Sequence, residues 1–148
     1  MRIERDVPLS RYTSIGTGGP ARYLARPASV AELEEALREA RRLGVPVATI
    51  GLGSNLLVHD DGVEALVIRL EGALAAVAID GDVLVAGGGA TNAVCLHRAR
   101  DAGFGGLEFA SAIPGTVGGG VRMNAGAYGG EFADVLIDAL VCGPDGTV

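Results

Sequence analysis

Apolar residues recur at helical spacing between Ser29 and Leu43, where Val30, Leu33, Leu37, Ala40 and Leu43 fall on one stripe. Ser29 and Glu32 read as a capping box, the hydroxyl accepting from an orphan N–H and the carboxylate reaching back. Gly44 suits a left-handed cap and Pro46 prevents continuation. Short strand-like runs flank this helix, Ala21 to Ala25 before it and Val47 to Ile50 after it, so the chain is expected to open as β-α-β. Ala65 to Leu70, Ala75 to Ile79 and Asp82 to Ala86 read as three further strands. Asp80-Gly81 makes a hairpin turn between the last two, since a tight turn needs residues that tolerate positive φ. A second helix is expected from Thr91 to Ala102, with a weaker stripe of Val94, Cys95, Ala99 and Ala102, stopped by Gly103. From Phe104 to Glu131 apolar residues continue without a period, which reads as glycine-rich loop and turn. Val135 to Val141 then reads as a strand. Gly143-Pro-Asp-Gly146 should turn it into a partner, but only Thr147 and Val148 follow, so a longer protein is expected.

The 148 residues allow one domain, or one and part of another. At 49% hydrophobic and 20% charged they can build a core, which excludes disorder. Glycine is the outlier: ten of the 24 fall between Gly103 and Gly130, the distribution of functional loops on a scaffold. A net charge of −6 argues against a nucleic-acid or membrane-surface binder. All twelve basic residues are Arg, so neither a P-loop nor a Schiff-base mechanism can operate within this stretch. Cys95 and Cys142 lack metal-ligand spacing and read as reduced thiols of a cytosolic protein, with no metal. The start, Met1 to Asp6, has no apolar signal segment, and the longest apolar run, Ala73 to Ile79, is too short to span a bilayer. A soluble, cytoplasmic protein is expected.

Three glycine-bearing segments are candidates for chemistry. Gly51-Leu-Gly53-Ser54-Asn55 follows a strand but fails the Rossmann fingerprint: Leu56 stands where a third Gly or Ala is needed, and no helix follows. What remains is a loop of bare backbone whose successive N–H groups can form an anion-binding nest, with Ser54 and Asn55 as further donors. Gly87-Gly-Gly89-Ala-Thr-Asn92 lies between a strand and a helix, yet Asn92 occupies its third fingerprint position. A plain connection capped by Thr91 explains it better. The third segment, Glu108 to Glu131, is the most specific. Its small residues let backbone approach a planar ligand closely, and Ser111, Thr116 and Asn124 supply polar groups.

At Ile113-Pro-Gly-Thr-Val-Gly-Gly119 and Met123-Asn-Ala-Gly-Ala-Tyr-Gly-Gly-Glu131 the chain resembles the UDP-N-acetylenolpyruvoylglucosamine reductases, the MurB flavoenzymes of peptidoglycan synthesis. Thr13 with Gly18-Gly-Pro-Ala21, the Gly51-to-Leu57 loop and Gly106-Leu-Glu108 extend the resemblance over essentially the whole chain. The resemblance implies an α+β chain of α/β-type subdomains, the FAD-binding fold of the para-cresol methylhydroxylase and vanillyl-alcohol oxidase type. Its first subdomain would span 1–70 and an incomplete second 71–148, with the substrate domain beyond. It implies non-covalent FAD, with Gly51, Gly53, Ser54, Asn55 and Leu56 on the pyrophosphate. Ile113, Pro114, Gly115, Thr116, Gly118, Gly119, Asn124, Ala125 and Gly126 would lie around phosphates and isoalloxazine. It also implies NADPH as reductant and an enolpyruvyl UDP-sugar as substrate. The family's catalytic Arg in Tyr-Arg-x-Ser, its proton-donating Ser and its Glu would all lie past Val148, so no catalytic residue is assigned. Arg122 does not match that Arg; His59 and His97 read as turn and helix residues, and Tyr128 as either ligand contact or core. Two alternatives stay open, a non-catalytic flavin-binding module and an oxidase of the same superfamily.

Overall fold

The computed structural model describes residues 1–143. Its main sheet has four strands in the order β1-β2-β4-β3, where β1 is Ile3–Pro8, β2 Pro20–Ala25, β3 Val47–Thr49 and β4 Val63–Ile68. β1 runs antiparallel to β2, while β2 and β3 both pair parallel with β4. The expected β-α-β opening therefore holds in sense but not in adjacency, because β4 is inserted between the two strands that the helix joins. β4 carries the signature of a strand covered on both faces: Ala65, Leu66, Val67 and Ile68 are all buried, a continuous apolar run and not an alternating one.

The helix α1 (Val30–Leu43) covers one face, packing Ala36, Leu37 and Ala40 on Tyr23, Ala25, Leu66 and Ile68. The other face buries Val7, Ala21, Leu24 and Val67 beneath Leu9 and Ile50. Ser29 caps α1 as expected, accepting from the Glu32 N–H at 3.3 Å, and Gly44 takes the left-handed cap at φ 67°. The reach-back differs by one residue, since Glu32 Oε2 accepts from the Ala28 N–H at 2.7 Å. Val30, expected in the buried stripe, is instead exposed, because the stripe rotates onto Ala36 in the middle of the helix.

Past β4 the chain builds smaller pieces. A hairpin of β5 (Val77–Asp80) and β6 (Val83–Ala86) turns at Gly81, φ 56°. α2 (Asn92–Asp101) is capped by Thr91, whose hydroxyl accepts from the Val94 N–H at 3.3 Å. Only Asn92, Cys95 and Ala99 of α2 are buried; Val94 and Ala102, expected in the stripe, are exposed. Burial pushes the Cys95 thiol pKa up.

The stretch 104–131, expected as loop and turn, contains a helix, α3 (Val117–Met123), and a small hairpin of β7 (Gly126–Ala127) and β8 (Gly130–Glu131). Three of the seven α3 residues are Gly, each costing about 0.5–1 kcal/mol of helix propensity. Packing requires two of them. A Cβ at Gly118 would lie 2.8 Å from the Gly88 carbonyl, and one at Gly120 would overlap the Phe132 ring. Phe132 opens α4 (Phe132–Val135) and meets Phe109 edge-on at 5.6 Å, forming the core of this region with Ala110. The strand expected from Val135 to Val141 does not form: Val135 closes α4, and Leu136 to Val141 pair with no strand among the described residues. The turn expected at Gly143 to Gly146 lies, beyond Gly143, outside the described residues.

Candidate flavin site

The loop after β3 is held by the segment that follows β1. Thr13 is buried and donates its hydroxyl to the Thr17 carbonyl at 2.8 Å, closing the turn from which the Ser14 N–H reaches the Gly53 carbonyl at 3.1 Å. Gly53 has φ 67°, and any side chain there would overlap the Tyr12 carbonyl oxygen. The far end of the loop is tied by His59, whose carbonyl accepts from both Gly19 and Gly62 at 3.0 Å. His59 is thus a turn residue. His97 is an exposed residue of α2, as expected.

Between these anchors most backbone donors go unused. Apart from the Leu56 N–H, which faces the Gly53 carbonyl across the Ser54-Asn55 turn, no N–H from Gly51 through Val58 donates to a protein acceptor among the described residues. Gly53 is buried, and a buried main-chain donor left unpaired is rare and costly. Such a run of N–H groups on bare backbone suits an anion with several oxygens.

The second loop, Ile113 to Thr116, is brought directly against the first. Ser54 Oγ donates to the Pro114 carbonyl, and a Cβ on Gly51 would come within 2.5 Å of Thr116 Oγ1. These residues are about 60 positions apart in sequence, so the fold itself joins the two segments singled out from their composition. In the second loop the Ile113 N–H donates to Ala110, Pro114 has none, and the Gly118 N–H is spent on Gly88. Thr116 caps α3 by accepting from the Gly119 N–H at 3.4 Å. The Gly115 and Thr116 N–H groups have no protein acceptor among the described residues, so each loop keeps free main-chain donors near the place where the two meet.

Asn124, Ala125 and Gly126 stand at the opposite end of α3, about 10 Å away along the helix. Asn124 adopts a left-handed φ of 44° as the cap of α3, and its Oδ1 accepts from the Ala133 N–H at 2.9 Å. Ala125 exchanges bonds with Gly120 and Phe132, and Gly126 pairs with Glu131. Their polar groups are mostly committed to the fold, so they offer shape rather than donors. Tyr128 tips the β7–β8 hairpin at φ 53° and is 90% exposed, which removes the core reading. Beside it Gly106, Glu108, Phe109 and Gly130 line a recess of about 320 Å³. Leu56 is half in solvent, and Arg122 is exposed on the last turn of α3.

The model of the FAD binding domain matches residues 21–148. The chain belongs to the FAD binding domain family. That membership, with the sheet and helices above, establishes the α+β flavin-binding fold, and FAD is the family's cofactor. Within the family it is 50% identical over 145 residues to UDP-N-acetylenolpyruvoylglucosamine reductase 2 of Symbiobacterium thermophilum, an alignment covering 98% of this chain and 47% of that one. To the Rubrobacter xylanophilus reductase of the same name it is 50% identical over 132 residues, covering 89% and 44%. The crystal structure of the Thermus caldophilus enzyme (MurB) superposes with a TM-score of 0.76 at 42% identity, over 90% of this chain and 46% of that one. The chain spans about half the length of the curated relatives it matches. No helix among the described residues is long and apolar enough to cross a membrane.

Sequence reasoning located both loops but missed what joins them. Asn92 sits 2% exposed beneath the Ile113–Gly115 turn, donating its Nδ2 to the Ile113 carbonyl at 2.9 Å. The available signal was a polar residue on the apolar face of a helix, one turn before Cys95.

Proposed function

We propose that this chain is the FAD-binding part of a cytoplasmic UDP-N-acetylenolpyruvoylglucosamine reductase, with residues 1–70 and 71–148 as its two flavin-binding subdomains. One observation carries the reading: the loop Gly51 to Val58, nearly all of whose N–H groups lack a protein acceptor, is joined to the second loop by the Ser54–Pro114 bond and the Gly51–Thr116 approach. The similarity to reductases over nearly the whole chain supports it independently.

In this reading Gly51, Gly53, Ser54, Asn55 and Leu56 hold the pyrophosphate from one side and Gly115 and Thr116 from the other. Neutral main-chain donors, fixed before the ligand arrives, need no reorganisation to meet the charge and no Lys to complete it. Ile113, Pro114, Gly118 and Gly119 would shape the ridge, while Asn124, Ala125 and Gly126 would offer a wall to the flavin ring. FAD, when bound, supplies the hydride chemistry by which NADPH reduces the enolpyruvyl group of a UDP-sugar to give UDP-N-acetylmuramate. The residues described here would bind and orient; the chain spans 47% of the Symbiobacterium thermophilum reductase, and no proton donor is assigned within it.

A chimera tests this. Residues 1–148 replace the matched half of the Symbiobacterium thermophilum reductase, and UDP-N-acetylmuramate formation is followed with NADPH. Turnover with bound FAD is the expected result. A folded, flavin-loaded chimera that consumes NADPH without forming product would contradict the reductase reading.

A further inference from the structure

The segments 88–92 and 113–118 lie side by side in antiparallel sense. The Gly118 N–H donates to Gly88 at 2.9 Å, the Val117 N–H to Ala90 at 2.8 Å, and the Asn92 N–H to Gly115 at 3.0 Å. Thr91 and Thr116 face each other between these bonds. In an antiparallel pair of this kind the residue between the bonds turns its own N–H away from the partner segment. The Thr116 N–H therefore points away from residues 88–92.

Three consecutive carbonyls of the second loop are each held by a donor. Ile113 is held by Asn92 Nδ2 at 2.9 Å, Pro114 by Ser54 Oγ, and Gly115 by the Asn92 main chain. Asn92 supplies two of the three. It does so at a cost, because Asn92 Oδ1 is a buried side-chain acceptor with no partner. A leucine has the same number of side-chain heavy atoms, branched at the same carbon, and no unmet acceptor, so burial alone does not favour an amide here. An aspartate would set an acceptor against the Ile113 carbonyl. What asparagine uniquely provides at this volume is the Nδ2 donor.

We infer that Asn92 is a positioning residue for the flavin pyrophosphate. Its side-chain and main-chain N–H groups, with the Ser54 hydroxyl, fix the Ile113, Pro114 and Gly115 carbonyls against the protein. The Thr116 N–H, trans to the Gly115 carbonyl, is thereby left facing away from residues 88–92, on the side where the ligand would lie. The inference rests on the proposed FAD cradle.

The experiment compares FAD and riboflavin, which lacks the pyrophosphate, on the wild-type chain, N92L, S54A and the double variant. Dissociation constants come from flavin fluorescence and Tm from circular dichroism of the unliganded protein. For N92L we expect FAD affinity to fall by about tenfold or more, riboflavin affinity to stay within about twofold, and the unliganded chain to stay folded with Tm lowered by no more than several degrees. The double variant should lose less than the product of the two single losses, because both residues hold one segment. An N92L affinity for FAD within about twofold of wild type overturns the inference, as does an equal loss for FAD and riboflavin. If N92L does not fold, N92D preserves the shape and reverses the donor, and the same two outcomes decide. Failure of the wild-type chain to bind FAD would instead bring down the cradle reading itself.

Discussion

The sheet region and the glycine-rich region are held together in opposite ways. In residues 3–70 side chains hold the backbone. Leu24, Leu66 and Ile68 are among the largest fully buried side chains, and α1 closes one face with Ala36, Leu37 and Ala40. In residues 87–135 the backbone holds the backbone. Gly88 and Ala90 accept directly from α3, Gly120 seats an aromatic ring, and the apolar cluster is only Phe109, Ala110 and Phe132 with their neighbours. The first arrangement yields stability, and the second yields close approach. A ligand that lies along main chain needs the second supported by the first. The candidate site occurs at their junction, where Gly51 meets Thr116 and Ser54 meets Pro114.

If that division is right, substitutions in the two regions separate stability from affinity. The largest effect is expected for Leu66→Ala at the fully buried centre of β4, which should lower unfolding stability by about 2–5 kcal/mol in urea denaturation. The FAD affinity of the molecules that remain folded should be unchanged. Gly53→Val reverses the pattern. It forces a branched residue to φ 67° against the Tyr12 carbonyl, and should weaken FAD binding by about 100-fold while the circular dichroism of the sheet persists. A loss confined to stability would break the comparison.

Smaller effects sharpen it. Gly120→Ala gains helix propensity but presses on the Phe132 ring. It should cost about 1–2 kcal/mol net and raise amide exchange in α3 and the β7–β8 hairpin, leaving β4 protected. Ser29→Ala removes the α1 cap and should cost about 1 kcal/mol, with no change in flavin affinity.

The same contrast explains what could be read from the sequence. α1 was legible because cap, stripe and stop agree locally, and the β5–β6 turn because Gly81 supplies positive φ where the hairpin needs it. β1 was not, since Ile3–Pro8 carries no run of buried residues and Asp6 breaks its alternation at φ 51°. α3 was hidden by its own glycines, which local propensity reads as loop and tertiary contact with Gly88 and Phe132 requires. The two loops stood out by composition. Their meeting, and the part Asn92 plays in it, depends on hydrogen bonds across about 20 and about 60 residues, which no local pattern encodes.

In the proposed cradle, main-chain donors of both loops grip a pyrophosphate. Calorimetric titration of the chain with FAD and with riboflavin addresses it most directly. One FAD per chain is expected, with riboflavin binding measurably but about 100-fold more weakly. A folded protein that binds the two flavins equally, or binds neither, would contradict it.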